Sequence, residues 1–198
     1  MLKPIDVLMV GVGGQGTILA SKVLAAVAQA VGYDIKVSEI HGMAQRGGSV
    51  VTQVRLGEKV YSPLISEGEA DVILAFEELE ALRWLSYLKP GGIIIINNQQ
   101  IYPVSVLAGA AEYPQNIIPQ VQSRGVNVQV LQALEHAIAC GNAKAANVVL
   151  LGALAQKLPI EEKIWRDALA ATIPPRLLEV NNAAFTAGFT AATSGTGC

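Results

Sequence analysis

The sequence predicts an α/β protein: a three-layer α/β/α sandwich around a mixed, mostly parallel central sheet. Three observations carry this. Strand-length apolar runs, Ile5–Val10, Asp71–Phe76 and the four isoleucines Ile93–Ile96, have no polar face, so they belong to strands covered on both sides. Helix-length segments alternate with them, the order that builds layered α/β folds. Ser49–Leu56 instead alternates with β-branched Val50, Thr52 and Val54, which reads as a half-polar strand in a hairpin and makes the sheet mixed.

The elements follow in order. Strand one covers Ile5–Val10 and the first helix Gly14–Val31, stopped by Gly32-Tyr33-Asp34. A second strand takes Ile35–Ile40. His41–Gly48 has no periodicity and three glycines, and reads as a functional loop. After Ser49–Leu56, Gly57-Glu58-Lys59 turns the chain and Val60–Ser62 returns. Asp71–Phe76 is a buried strand, and Glu77–Leu88 a helix with acids in its first turn, where they suit the dipole; Lys89-Pro90-Gly91-Gly92 stops it before Ile93–Ile96. Residues 98–125 are irregular, with room for a short strand at Ile101–Val106 and a short helix at Ile117–Ser123. A strand at Val126–Val130 precedes helices at Leu131–Ala139, Lys144–Leu158, Ile160–Thr172 and Arg176–Phe185. Residues 186–198 are small and polar and read as a flexible tail.

Composition narrows the function. A length of 198 residues supports one substantial core. Hydrophobic residues make up 52% and charged residues 15%, which fits a doubly covered sheet, a large subunit interface, or both. A net charge of −2 with no basic stripe argues against nucleic acid. No segment has membrane-spanning length without polar interruption, and the N-terminus carries no signal pattern, so a cytoplasmic location is expected. Two cysteines, Cys140 and Cys198, fall short of the four thiolates of an iron–sulfur cluster. His136 and Cys140 at i, i+4 are two ligands and do not make a metal site.

The chemistry concentrates in two glycine-rich segments. Gly11-Val12-Gly13-Gly14-Gln15-Gly16 joins a buried strand to a helix, a Rossmann-like corner where unpaired N–H groups favour an anion. Ligand cradle and tight packing corner are both open readings. A dinucleotide site also wants an acid at the end of strand two. Glu39 is the candidate, and a free-standing NAD- or FAD-dependent oxidoreductase is the alternative it supports. Parallel neighbours would bring His41, Gln45, Arg46, Gly47 and Gly48 to the same sheet edge as the turn. Arg46 offers a planar fork to a carboxylate or phosphate, or pairs with Glu67 or Glu69 to pin its loop. Gln15, Gln45 and His41 offer further hydrogen bonds. Asn147, near the start of an apolar helix, is a tether or a ligand contact. Tyr61, Trp84 and Trp165 read as core or interface aromatics.

Taken together, Gly11–Gly16 with Ile18-Leu19-Ala20-Ser21, His41-Gly42-Met43-Ala44-Gln45-Arg46-Gly47-Gly48-Ser49-Val50, Ser62-Pro63-Leu64-Ile65, Glu69-Ala70-Asp71, Leu88-Lys89-Pro90-Gly91-Gly92 and Asn147–Ala153 resemble the gamma-type domain of the 2-oxoacid:ferredoxin oxidoreductases. The second motif is most similar to the indolepyruvate branch; gamma subunits for pyruvate, 2-oxoglutarate or branched 2-oxoacids are the nearer alternatives. The resemblance spans Ile5 to Phe185 and implies a single gamma-type domain over 1–185. It also implies a hetero-oligomer that decarboxylates a 2-oxoacid on thiamine diphosphate, passes electrons through iron–sulfur clusters to ferredoxin, and forms an acyl-CoA. No Gly-Asp-Gly segment leads to Asn97-Asn98 or Asn181-Asn182 at the spacing a thiamine diphosphate site needs. The expectation is therefore a subunit with no catalytic residue or bound cofactor of its own, inactive alone. Partner chains bear the thiamine and clusters, and Gly11, Gly13, Gly14, Gln15, Gly16, His41, Gln45, Arg46, Gly47, Gly48 and Asn147 face the ligand or the interface. A regulatory module without catalytic role is the remaining alternative.

Overall fold

The computed structural model describes residues 2–41 and 47–194. Six strands form one sheet: β1 (Ile5–Val12), β2 (Asp34–His41), β3 (Ser49–Gly57), β4 (Ala70–Ala75), β5 (Leu88–Asn97) and β6 (Asn127–Leu131), in the spatial order β2-β3-β1-β4-β5-β6. Pairing is parallel from β1 through β6 and antiparallel for β2–β3 and β3–β1. The mixed, mostly parallel sheet is as expected.

Two cores explain the continuous apolar strands. Val7, Met9, Val72, Leu74 and Ile95 pack into one face, under α1 (Thr17–Ala30) and the later helices. Leu8, Val10, Ile73, Ile94 and Ile96 pack into the other. Successive side chains point to opposite faces, so a strand buried on both must be apolar throughout. On the second face lie α2 (Glu78–Arg83), α3 (Val104–Leu107) and α4 (Ile117–Gln122). The first also carries α5 (Ala133–Ala139), α6 (Ala146–Lys157), α7 (Glu162–Thr172) and α8 (Pro175–Ser194).

Several expectations are corrected. β3 lies between β2 and β1 and pairs antiparallel with both, not with Val60–Ser62. The first two strands are thus not neighbours. The helix after β4 ends at Arg83; Leu85–Tyr87 is a 3-10 turn, and β5 begins at Leu88. Lys89–Gly92 lies inside β5, at an irregularity in its register with β4. A Cβ at Gly92 would approach the Asp71 carbonyl to 2.9 Å, so the strand passes close there. Residues 101–103 precede α3 and form no strand.

The last helix does not end at Phe185. It runs to Ser194, and Ala192 is fully buried. The small residues of this stretch let α8 press on α6, and Lys157 Nζ donates to the Ala192 carbonyl at 3.3 Å.

At the amino end of the parallel strands, Arg55 clamps Asp6 through Nε (2.9 Å) and Nη2 (2.8 Å) and donates to the Leu64 carbonyl at 2.8 Å. Asp71 accepts from Asp6 N at 2.7 Å and pairs with Lys89. The hydrogen bond to Asp6 raises the Arg55 pKa above its ordinary value. Arg55→Ala is expected to cost about 1–3 kcal/mol, the range for charge-assisted bonds, with partial exposure favouring the lower half. Urea denaturation measures it.

Candidate functional site

The glycine turn stands where β1 hands over to α1, at the carboxyl end of the parallel strands. Gly14 and Gly16 have φ of 103° and 83°, in the left-handed region. Gly16 caps α1, no side chain caps that helix, and no acid lies in its first turn. The turn faces a cavity of about 610 Å³, whose wall includes Gln15, Gln99, Ile101, Lys144 and Asn147.

Gln15 is spent on structure. Its Oε1 accepts from Val12 N at 2.7 Å; its Nε2 donates to the Phe76 carbonyl at 2.7 Å and to Gln99 Oε1 at 3.3 Å. This clasp ties β1 to β4 and to the segment after β5. Gly11 completes it, because a Cβ there would stand 2.9 Å from both Gln15 Oε1 and Phe76 Cβ. Asn97 supports the same point, donating to the Phe76 carbonyl at 3.1 Å and Gln99 Oε1 at 2.9 Å while accepting from Ala133 N at 3.1 Å.

Asn147 reaches the turn from α6 and donates to the Gly16 carbonyl at 3.3 Å. A Cβ at Gly16 would overlap its Nδ2, so the two residues fit only because one is glycine. Asn147 Oδ1 is buried and has no hydrogen-bond partner. A buried acceptor without a donor is costly unless something supplies one.

The second segment is only partly joined to the turn. Gly13 N donates to the Gly48 carbonyl at 2.9 Å, which fixes the start of β3 against it. His41 does not share the site. It pairs with Val50, which pairs with Gly11, so two interstrand spacings, roughly 10 Å, separate it from the turn. Gln45 and Arg46 lie outside the described residues. Glu69, one acid considered for Arg46, comes within 4.0 Å of Arg55 at the opposite end of the sheet. Tyr61 is not a core residue: it is 83% exposed, with Lys59 Nζ 5.2 Å from its ring centre. Trp165 is fully buried.

Three buried carboxylates escaped the sequence reading. Glu77, Glu78 and Glu80 follow β4 directly. Glu77 caps α2, accepting from Glu80 N at 3.0 Å. Glu80 accepts from Arg83 at 2.6 Å and from Ser49 Oγ at 2.5 Å, a second tie on the start of β3. Acids in a first helical turn suit the dipole, and that reading hid their long-range partners.

The dinucleotide reading loses its acid. Glu39 accepts from Ser21 Oγ at 2.8 Å, and its strand is separated from β1 by β3, whereas the ribose acid belongs on the neighbouring strand. Nor do the residues fit thiamine diphosphate or a cluster. The Asn97 amide is committed on both sides, Asn181 donates to its own helix at Leu177, and no group of three His, Cys, Asp or Glu among the described residues could hold a metal ion. Among those residues no helix is long and apolar enough to cross a membrane.

A layered mixed sheet with a glycine corner at the carboxyl end of its parallel strands defines an α/β protein rather than a particular enzyme. The family model for pyruvate ferredoxin/flavodoxin oxidoreductase matches residues 6–191, and the chain belongs to that family. It is 40% identical to the indolepyruvate oxidoreductase subunit IorB of Thermococcus kodakarensis, over 96% of this chain and 97% of the relative. The subunit of the same name from Archaeoglobus fulgidus is 38% identical over 96% of each chain. The chain is thus a subunit of an oxidoreductase of the 2-oxoacid:ferredoxin class. The gamma subunit of a keto/oxoacid ferredoxin oxidoreductase from Geobacter sulfurreducens shares the fold, with a TM-score of 0.72, 24% identity, and coverage of 96% of this chain and 99% of that one. So does a 2-oxoglutarate:ferredoxin oxidoreductase from Magnetococcus marinus, with a TM-score of 0.76 and 22% identity; all of this chain aligns to 32% of that one.

Proposed function

We propose that this chain is the subunit of an indolepyruvate:ferredoxin oxidoreductase that bears no thiamine or cluster. In this reading it forms one wall of the 2-oxoacid or CoA channel where it meets the catalytic chain. The carrying observation is the cavity at the glycine turn: Gly13, Gly14 and Gly16 at a helix N-terminus with no side-chain cap, Lys144 and Asn147 all border it. An anionic ligand matches that lining. Support for the substrate class comes from the names of the relatives. The thiamine, the iron–sulfur clusters and the route to ferredoxin belong, in this reading, to partner chains; this one supplies shape, backbone donors and a positive charge.

The test is turnover in the assembled complex. The catalytic chain without this subunit is expected to lose acyl-CoA formation, and this chain alone to show none. Lys144→Glu in the complex is expected to raise the apparent KM for CoA or for the 2-oxoacid about tenfold, equivalent to about 1.4 kcal/mol. Full turnover without this chain would reduce it to a regulatory module, and turnover by this chain alone would end the reading.

A further inference from the structure

The segment between β5 and α4 is a strap, and one carboxylate oxygen holds both its feet. Glu77 is 1% exposed. Its Oε1 accepts from Ile101 N at 3.1 Å and from the Tyr113 hydroxyl at 2.5 Å. Burial first, and the hydrogen bond to Glu77 second, push the Tyr113 pKa far above the ordinary phenol value, so the hydroxyl stays a donor. The Tyr102 and Tyr113 rings meet at 5.1 Å, closing the strap across its base. Between the feet, Tyr102, Val104 and Leu107 are 49%, 67% and 71% exposed.

The first foot is also cavity wall. Ile101 and Gln99 both line the cavity at the glycine turn. Glu78 N donates to the Gln99 carbonyl at 3.0 Å, and Gln100 donates to Glu78 at 3.1 Å. Gln99 Oε1 is the shared acceptor of Gln15 and Asn97. The clasp that shapes the turn therefore ends on a segment whose path Glu77 fixes. No cation pairs with Glu77 among the described residues; it accepts from two backbone N–H groups and a phenol. A carboxylate so buried is costly unless well hydrogen-bonded, and three donors meet that need.

We propose that Glu77 is a positioning residue for the ligand at the glycine turn: by clipping both feet of the 102–112 strap to one oxygen, it holds Ile101 and Gln99 in the cavity wall. This rests on the reading of the cavity as a ligand channel. Glu77 touches no ligand in this role and acts through the wall it sets.

The experiment uses the assembled complex with Tyr113→Phe, Glu77→Gln and Glu77→Leu. It follows amide exchange over residues 100–113 and the kcat and KM for CoA and 2-oxoacid, with Lys144→Glu alongside. Tyr113→Phe removes one foot and keeps the ring, so the fold survives even if Glu77→Leu does not assemble. Faster exchange over 100–113 is expected with Tyr113→Phe, together with a several-fold rise in one KM and a kcat within about twofold of the parent, the pattern of lost uniform binding. Glu77→Gln keeps one acceptor oxygen for Ile101 N and the Tyr113 hydroxyl at the cost of the bond from Glu80 N, and is expected to bring both readouts nearer the parent values than Glu77→Leu does. If exchange quickens while both KM values stay unchanged, and Lys144→Glu still raises one, the strap is plain structure and the positioning role is wrong. If Lys144→Glu also moves neither KM, the channel reading falls, and the positioning role falls with it.

Discussion

Gly188→Ala is expected to leave little folded protein. Gly188 of α8 lies directly against the backbone of α6: a Cβ there would overlap the Val149 carbonyl oxygen and stand 2.7 Å from its carbon. The contact is mutual, because a Cβ at Gly152 of α6 would overlap the Phe185 carbonyl and stand 2.8 Å from Phe189 N. The obstacles are main-chain atoms of two packed helices, so no rotamer change relieves them. The helices must separate, and α6, buried from Asn147 to Ala155, would take its neighbours with it. Overpacking usually costs about 1–3 kcal/mol and more where backbone must shift, against a total of about 5–15 kcal/mol. Thermal melting of the purified chain is the measurement. Gly141→Ala is the control: its φ of 98° is unfavourable but its surroundings are open, so about 1–2 kcal/mol is expected. A Gly188→Ala melt near that control would mean that the two helices do not touch as described.

Gly16→Ala is expected to damage stability and site together. Its φ of 83° costs an alanine about 1–2 kcal/mol. The new methyl group also overlaps Asn147 Nδ2 and stands 3.1 Å from Asn147 Cγ. Asn147 must then swing away, giving up the Gly16 carbonyl and intruding on the cavity. A double-mutant cycle with Asn147→Ala separates the parts. Removing the asparagine clears the overlap, so a coupling of about 0.5–3 kcal/mol is expected between the two positions, with the backbone cost left over. Denaturant unfolding of the four proteins measures it. Additive effects would mean that Asn147 does not hold the turn.

Much of the fold was legible because burial leaves a local trace. Val7–Val10 and Ile93–Ile96 could only be strands covered on both faces, and the run of glycines after Val10 marked the corner. Strand neighbours leave no such trace. Ser49–Leu56 looks like a half-polar strand, but Thr52 and Gln53 are buried; Gln53 accepts from Ile65 N at 2.7 Å, and nothing local announces that β3 inserts beside β1. The same limit governs the site. The glycines and Asn147 do meet, across 131 residues of chain. Gln15 was read as a ligand donor, yet its amide is consumed by Phe76 and Gln99, 61 and 84 residues away. Glu77 passed for a dipole acid because Tyr113, its partner, stands 36 residues on. The small residues after Phe185 suggest fraying in isolation and are what a close helix crossing requires.

The placement of β2 and β3 has an engineering corollary. This hairpin lies on one side of β1, while the three strands parallel to β1, namely β4, β5 and β6, lie on the other. Its tip can change length or spelling at a loop-closure cost that grows only logarithmically, while Gly13 and Ser49 keep its root moored. A change in the length of the connection between β2 and β3 should therefore leave the six-stranded frame intact, with thermal melting of such variants as the check.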